Sequence, residues 1–286
     1  IYMISKDTRF LIVGLGLLGG SYAKALSEQG YHVKAIEINQ LSIDYAIQKQ
    51  IIEDGSVSDT DMIKEADVII FGLYPKAQID WIRNYQRYFK PGILLTDVSG
   101  VKGNVADVIQ QELRSDVEFI ASHPMAGKEV SGVKYSDASM FHVANFIIVP
   151  TEKNTQEAID FLYELAKLLG FSHITQLSIQ EHDVMIGFVS QLTHAIAVSL
   201  MNANDNTHLV EYTGDSFRDL TRIANINEHL WSELFFLNKE NLIREIDDFQ
   251  ASLSDLKNKL IEDDADGLKQ LFIQSTQRRK LFDKKQ

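Results

Sequence analysis

The feature that most constrains this sequence is a spaced set of glycines near its start. Gly14, Gly16 and Gly19 satisfy the pattern G-x-G-x-x-G and directly follow the apolar run Arg9–Val13. A helical pattern over residues 21–29 comes next. Glycines at this spacing between a strand and a helix indicate a turn whose backbone approaches a phosphate closely. We therefore expect the chain to begin with a nucleotide-binding βα unit.

Each glycine of the motif has its own expected task. Gly14 permits the tight turn, Gly16 lets the backbone approach a pyrophosphate, and Gly19 lets helix and strand pack closely. The start of the helix then offers free N–H groups and the positive end of its dipole to the phosphates. The cofactor-binding residues predicted here are Gly14, Leu15, Gly16, Leu17, Leu18 and Gly19.

An acidic residue stands where a second strand is predicted to end. Glu37 closes the β-rich run 33–37, 18 residues beyond Gly19, where a carboxylate can accept hydrogen bonds from ribose hydroxyls. The residues after it, Ile38 and Asn39, include no arginine to meet a 2′-phosphate. We therefore expect NAD as the cofactor in preference to NADP.

Strand and helix patterns alternate over the first 170 or so residues, which favours a parallel sheet with helices on both faces. All four prolines lie in this part, and breakers become rare after residue 170, which predicts long helices. We expect an α/β Rossmann (doubly wound) domain over residues 1–174 and an all-α domain over 175–286, as in 6-phosphogluconate-dehydrogenase-like folds. The predicted strands cover residues 9–13, 33–37, 68–72, 93–96, 119–122, 146–149 and 173–177, and the predicted helices cover 21–29, 41–50, 78–89, 101–114 and 155–169.

Two further helices are predicted in the second half. Ser178 and Glu181 form an S-x-x-E capping box that opens a helix through about Met201. This helix is apolar nearly all round, so we expect it to be buried. Later, a heptad seam predicts a helix–helix contact, either within one chain or between two. Its members are Leu242, Ile246, Phe249, Leu253, Leu256 and Leu260.

Charge and composition exclude several classes of function. The 28 Lys and Arg against 40 Asp and Glu give a net charge of −12, which argues against nucleic acid as the main partner. With 0 Cys there are no disulfides, thiolate nucleophiles or cysteine-bound zinc, and no metal site is predicted. The most apolar run, residues 10–20, is too short to span a bilayer, so the cytoplasm is the expected compartment.

Two turns that follow predicted strands supply candidate residues for chemistry. Ser99 lies in the turn 96–102, where ligands gather in a doubly wound sheet, although an N-cap role is the alternative. His123 also follows a strand, and Pro124 restricts its backbone to extended conformations. An imidazole fixed in this way suits general base catalysis. A packed or surface histidine is the alternative.

A third group of candidates lies in the helical half. Ser190 and His194 are four residues apart and share one helix face. They either contact a ligand or form an internally bonded pair. Further along the chain, a span of fourteen residues contains Arg218, Arg222 and Trp231. Because arginine binds carboxylates bidentately, this group predicts a site for an anionic substrate, with exposed helical arginines as the alternative.

Together these segments resemble the prephenate dehydrogenase (TyrA) family over most of the chain. The resemblance rests on six segments in family order: VGLGLLGGSYAKAL (13–26), TDVSGVK (96–102), SHPMAGKEVSG (122–132), EHD (181–183), SQLTH (190–194) and FRDLTRIA (217–224) with the later Trp231. It implies a Rossmann domain, a helical domain that forms a homodimer, and an active site in the cleft between them.

The resemblance also implies a reaction, the NAD-dependent oxidative decarboxylation of prephenate to 4-hydroxyphenylpyruvate on the route to tyrosine. The catalytic residues that it implies are His123 as the hydrogen-bonding base, Ser190 near that histidine and the nicotinamide, and Ser99. The substrate-binding residues that it implies are His194 and Arg222 for the carboxylates, with Arg218 and Trp231 beside them.

Some positions depart from the family pattern, and other functions share the architecture. Many relatives read D-x-G-S-x-K where this chain has Ser99 before Gly100, and they often have proline where it has Thr193. Several Gram-positive-type relatives carry a C-terminal ACT domain, for which we expect no room in these 286 residues. The alternatives are arogenate (cyclohexadienyl) dehydrogenase, a β-hydroxyacid dehydrogenase, which would use a lysine in the second domain, and a catalytically silent NAD-binding regulatory module.

Overall fold

A parallel sheet of six strands organises the N-terminal part of the chain. Its strands are β1 (Arg9–Val13), β2 (His32–Ile36), β3 (Asp54–Ser56), β4 (Val68–Phe71), β5 (Leu94–Asp97) and β6 (Glu118–Phe119). They lie in the order β3-β2-β1-β4-β5-β6, which is the order of a doubly wound dinucleotide-binding fold. The computed structural model describes residues 2–282. The predicted fold class is confirmed.

Helices cover both faces of this sheet. Alternate residues of β1 enter two different hydrophobic clusters, Phe10 and Ile12 on one face and Leu11 and Val13 on the other. All four are buried, as expected for a parallel strand covered on both sides. The helices are α1 (Leu17–Glu28), α2 (Gln40–Gln48), α3 (Thr60–Glu65), α4 (Pro75–Tyr85), α5 (Gly103–Glu112) and α6 (Gln156–Leu168). The sequence prediction missed two of these short elements, β3 and α3.

The last three strands form a second sheet, which carries His123. They are β7 (Ala121–Pro124), β8 (Asn145–Val149) and β9 (His173–Gln176), with β7 antiparallel and β9 parallel to β8. The prediction of one strand over 119–122 in a single parallel sheet is therefore wrong. A single residue, Ile120, separates β6 from β7, whereas a parallel crossover needs a dozen or more residues.

The helix predicted from Ser178 begins as expected and is interrupted in the middle. Ser178 and Glu181 form both hydrogen bonds of the capping box. The chain continues as α7 (Ile179–Ile186), a π-helical segment (Gly187–Leu192) and α8 (Thr193–Asn202), followed by α9 (Asp215–Thr221) and α10 (Glu228–Leu237).

The expected burial of that helix is wrong. Met185, Phe188 and Val189 are 48 %, 54 % and 43 % exposed. An apolar sequence predicts that a helix face is shielded from water. It does not show whether the residues that shield it belong to the same chain or to another one. By length and composition alone, Ile179–Asn202 is also the one described helix that could cross a membrane, and 28 % of its apolar 18-residue window is buried. Buried core helices of soluble proteins pass the same test.

Residues 239–286 form a separate compact unit, apart from Ile1–Asn238. Two helices make up its described part, α11 (Lys239–Ile261) and α12 (Ala265–Lys280). Asp263, with a φ of 53°, reverses the chain between them, and Asp264 caps α12 by accepting from the N–H of Gly267. The predicted heptad seam lies on α11, where Phe249, Leu253 and Leu260 are 36 %, 54 % and 57 % exposed.

Candidate active site

The glycine motif forms a loop that is packed at two positions and open at one. Gly14 has a φ of +96°, and a Cβ there would lie 2.7 Å from the carbonyl oxygen of Gly72. A Cβ on Gly19 would lie 2.0 Å from the carbonyl oxygen of Gly14. At Gly16, no heavy atom lies within 4 Å of the Cβ position. The loop therefore leaves space at the glycine expected to face a pyrophosphate.

Glu37, predicted to bind the ribose, contacts this loop. Its Oε2 accepts a hydrogen bond of 2.7 Å from the N–H of Leu15, and its Oε1 accepts one of 3.0 Å from Asn39. No side chain caps the start of α1, which follows Gly16. The free end of the helix, the open glycine and the carboxylate at the end of β2 fit the phosphate and ribose groups of a dinucleotide.

The roles of Gly16 and Gly19 can be distinguished by experiment. We expect Gly16→Ala to leave the urea midpoint unchanged, because its Cβ meets nothing, and to raise the KM for NAD at least about tenfold, or ~1.4 kcal/mol. We expect Gly19→Ala to lower the free energy of unfolding by about 1–3 kcal/mol, because its Cβ collides with backbone. Urea unfolding and initial-rate kinetics on both variants measure this. An unchanged KM in Gly16→Ala would contradict the proposed phosphate position.

His123 is half-buried on β7 and contacts a second histidine. Its Nδ1 lies 2.9 Å from Nε2 of His182, a fully buried side chain on α7. Nδ1 of His182 in turn lies 2.7 Å from Oδ1 of Asp183. The two imidazole rings and the carboxylate thus form one continuous hydrogen-bonded chain.

Backbone groups at the start of α5 hold the carboxylate end of this chain. The N–H of Lys102 donates to Oδ1 of Asp183 at 3.0 Å, and the N–H of Gly103 donates to Oδ2 at 2.8 Å. Asn238 donates through Nδ2 to the carbonyl oxygen of Asp183 at 2.8 Å. α7 is therefore fixed to the nucleotide-binding sheet through the helix that follows β5.

Burial keeps both histidines neutral. Burial lowers the pKa of His123 well below its usual value, and the nearby His182 and Lys102 lower it further. Burial also lowers the pKa of His182, although the hydrogen bond with Asp183 opposes this. For Asp183, burial raises the pKa, but the hydrogen bonds from His182 and Gly103 outweigh it and the pKa falls. The chain therefore consists of two neutral rings and one carboxylate.

A buried ion pair lies next to this chain. Nζ of Lys102 donates to Oδ2 of Asp97 at 2.7 Å, and both side chains are at most 1 % exposed. The N–H of Ser122 donates to Oδ1 of Asp97 at 3.1 Å. The predicted catalytic residue Ser99 is also buried, and its Oγ donates to the carbonyl oxygen of Val101 at 2.9 Å.

Ser190 lies inside the π-helical segment, a feature that often marks functional sites. Its carbonyl oxygen accepts hydrogen bonds from Nδ1 of His194 at 2.8 Å and from Thr193 at 2.6 Å. The ring of His194 stacks on Trp231 with 3.6 Å between centroids and 27° between planes. Burial lowers the pKa of His194, although its bond to Ser190 and the charge of Glu129 oppose this.

The predicted arginines occupy different environments. Arg222 forms an ion pair with Glu129, which lies six residues after His123. Arg218 is exposed, and its guanidinium forms no hydrogen bond or ion pair with a residue of the described range 2–282. The charge of Glu129 also raises the pKa of His194. The segment 123–129 therefore begins at His123 and ends near the group of His194, Trp231 and Arg222.

The structure thus brings the predicted residues together in two groups, and it adds residues that the sequence reasoning gave no role. The glycine loop contacts Glu37, and His194 stacks on Trp231 and lies near enough to Arg222 for its charge to lower the pKa of the imidazole. The hydrogen-bond partner of His123 is His182. The added residues are Asp97, Lys102, Glu129, His182 and Asp183. The only signal for the last two was the segment EHD, to which no task was assigned.

The chain matches two domain models of one known family. The family model "Prephenate dehydrogenase, nucleotide-binding domain" matches residues 22–175, and "Prephenate dehydrogenase, dimerization domain" matches residues 178–274. The first match alone covers more than half of the chain. The chain belongs to the prephenate dehydrogenase family. Members are dehydrogenases with a nucleotide-binding domain, so the chain is an NAD-dependent dehydrogenase.

Individual relatives agree with the family. Prephenate dehydrogenase of Bacillus subtilis is 28 % identical over 93 % of this chain and 74 % of its own length. Cyclohexadienyl dehydrogenase of Zymomonas mobilis is 26 % identical over 94 % of both chains. The solved prephenate dehydrogenase of A. aeolicus in complex with hydroxyphenyl propionate and NAD+ is 27 % identical, with a TM-score of 0.89 over 99 % of this chain and 100 % of that chain.

Proposed function

We propose that this chain oxidises and decarboxylates prephenate to 4-hydroxyphenylpyruvate with NAD, and that His123 is the base. The observation that carries the proposal is the half-buried, neutral imidazole of His123 at the end of β7, linked to the buried pair His182–Asp183. Family membership supports the reaction, and the fit of the glycine loop supports the cofactor.

The reaction needs one proton acceptor. A proton leaves the hydroxyl on the substrate ring, hydride leaves the carbinol carbon, and the ring carboxylate departs as CO2. The ring becomes an aromatic phenolate, which takes a proton back to give the phenol of the product. When bound, NAD supplies the hydride acceptor. A neutral His123 accepts the hydroxyl proton, which a protonated imidazole cannot do. The low pKa of His123 keeps it in the neutral form throughout the neutral pH range.

The substrate is a dianion and the chain carries a net charge of −12, so the carboxylates need a local cationic group. We assign this task to Arg222 and His194, with Trp231 stacked behind the imidazole and Arg218 one helical turn before Arg222. Because Nδ1 of His194 already donates to Ser190, a carboxylate has to meet Nε2. Nε2 becomes a donor only when the ring is protonated. Binding of the substrate through His194 therefore takes up a proton.

A second substrate is supported by one relative. The cyclohexadienyl dehydrogenase of Zymomonas mobilis matches this chain over nearly its whole length. Arogenate has an amino group in place of the keto oxygen of prephenate. The two substrates thus differ at the side chain and share the ring on which His123 acts.

Four assays test the proposed function. Purified protein is incubated with prephenate or arogenate and with NAD or NADP, and nicotinamide reduction is followed together with CO2 release. We expect the highest kcat/KM for prephenate with NAD. Faster turnover of arogenate would assign the alternative substrate, and the absence of turnover in all four assays would contradict the proposal and favour a silent NAD-binding module.

We further propose that the two parts of the chain have different functions and that the protein forms a homodimer. Residues 1–174 hold NAD, and residues 175–286 supply the substrate-binding residues and the contact of a homodimer, which the match to a dimerization domain supports. Exposed apolar residues are candidates for this contact, because large apolar patches mark interaction surfaces. They are Met185, Phe188 and Val189 in the first unit and Leu253, Leu260 and Phe272 in the second. The cytoplasm, where NAD-dependent biosynthesis takes place, stays the expected compartment.

A further inference from the structure

We propose that His182 and Asp183 are positioning residues that keep the proton of neutral His123 on Nδ1, so that Nε2 carries the lone pair that accepts the substrate proton. The catalytic consequence rests on the proposed function. The position of the proton on the ring does not, because it is a property of the protein without substrate.

The argument starts at the carboxylate. Asp183 is ionised and accepts two backbone hydrogen bonds, from Lys102 and Gly103. A carboxylate can only accept. The 2.7 Å contact between its Oδ1 and Nδ1 of His182 is therefore a hydrogen bond that the imidazole donates. The single proton of neutral His182 is on Nδ1.

The same reasoning extends to the next ring. With its proton on Nδ1, His182 has an unprotonated Nε2, which can only accept. Its 2.9 Å contact with Nδ1 of His123 is then a hydrogen bond donated by His123. Nε2 of His123 consequently carries no proton, and no residue in the described range 2–282 forms a hydrogen bond with it. This nitrogen is free to accept a proton from a ligand.

The charges around the pair favour the same arrangement during proton transfer. When His123 becomes an imidazolium, its Nδ1–H points along a hydrogen-bonded chain that ends at a carboxylate. The positive charge of Lys102 lies near both histidines, but it is paired with Asp97 at 2.7 Å. Without the pair behind it, His123 could hold its proton on Nε2 and lose its function as a base.

A purely structural role for His182 is the competing explanation, because the pair also anchors α7 to α5. Two variants separate the explanations. In His182→Gln, the amide can accept from His123 through its oxygen and donate to Asp183 through its nitrogen. In His182→Leu, an apolar side chain can do neither. Asn238→Ala is the matched control: it removes buried hydrogen bonds to the carbonyl oxygen of Asp183 and to Gln191 but leaves both rings intact.

The first readout is the 15N spectrum of the imidazoles in protein without substrate, at a pH where His123 is neutral. We expect Nε2 of His123 to show the shift of an unprotonated nitrogen in the wild type, in His182→Gln and in Asn238→Ala. In His182→Leu we expect the proton to redistribute to Nε2. The second readout is kinetic: kcat falls about 100-fold or more in His182→Leu and less than about tenfold in His182→Gln, with KM for prephenate unchanged.

A protonated Nε2 in the neutral wild-type protein would overturn the inference, even if no variant folds. It would also be overturned if His182→Leu lost its tautomer preference and kept its kcat, or if Asn238→Ala lost as much kcat as His182→Leu. A wild-type protein that shows the expected tautomer but does not turn over prephenate would refute the proposed function and leave the assigned tautomer standing.

Discussion

Replacing His123 by asparagine is expected to lower kcat by about 10²–10⁴-fold, because the variant keeps a polar side chain but loses the base. The KM for prephenate should stay within about threefold of the wild-type value, since the base acts mainly in the transition state. Steady-state kinetics measure both constants. His173→Asn is the matched control, because His173 is an exposed histidine on β9 of the same sheet. Near-normal turnover in His123→Asn would remove His123 from the mechanism.

The pH profile of the wild-type protein gives an independent check of the same assignment. The active form of His123 is the neutral one, and burial together with His182 and Lys102 lowers its pKa. The contribution of His123 to activity is therefore retained above this pKa and lost as the pH falls through it. We expect the acid limb of kcat/KM to lie at a lower pH than the pKa of an ordinary histidine. An acid limb near pH 7 or above would contradict the assignment.

Removal of the buried cation next to the site is expected to have the largest effect on stability. Lys102→Met leaves the carboxylate of Asp97 buried without its 2.7 Å partner. We expect the free energy of unfolding to fall by about 3–5 kcal/mol, which is a large part of the total for a typical domain. Urea unfolding of the purified protein measures this change.

Two control variants identify the cause of that loss. The double variant Asp97→Asn/Lys102→Met should lose less than the sum of its single variants, because it leaves no unpaired charge. Lys64→Met breaks an ion pair of the same 2.7 Å length with Asp61 at the surface, and it should leave the urea midpoint unchanged. Equal decreases in the free energy of unfolding in Lys102→Met and Lys64→Met would contradict the explanation that an unpaired buried charge causes the loss.

Local patterns were sufficient to predict most of the fold. The strand Arg9–Val13 was predicted residue for residue, because a continuous apolar run is followed directly by a glycine turn. β3 was missed because its sequence, Asp-Gly-Ser, has no strand preference and gains its structure from pairing with β2. The second sheet was missed because no local pattern shows that the chain leaves the parallel sheet after β6.

In the candidate site, too, features with a local sequence pattern could be predicted, whereas contacts between distant segments could not. The glycine motif and Glu37 have a fixed spacing in the sequence, and in the structure Glu37 contacts the glycine loop at Leu15. The contact of His123 with His182 spans 59 residues, and the geometry of two separate elements creates it. The π-helical segment around Ser190 could not be predicted either, because the spacing of apolar residues does not show where a helix takes up an extra residue in one turn. The roles of Ser99, Ser190, His194 and the arginines stay predictions.

The most direct test of this account is a crystal structure of the protein with NAD and hydroxyphenyl propionate, the ligand seen in the A. aeolicus relative. We expect Nε2 of His123 to lie about 2.6–3.2 Å from the phenolic oxygen of the ligand, with the carboxylate of the ligand at Arg222 or His194. A phenolic oxygen bound away from Nε2 of His123 would contradict the central claim that this nitrogen is the base.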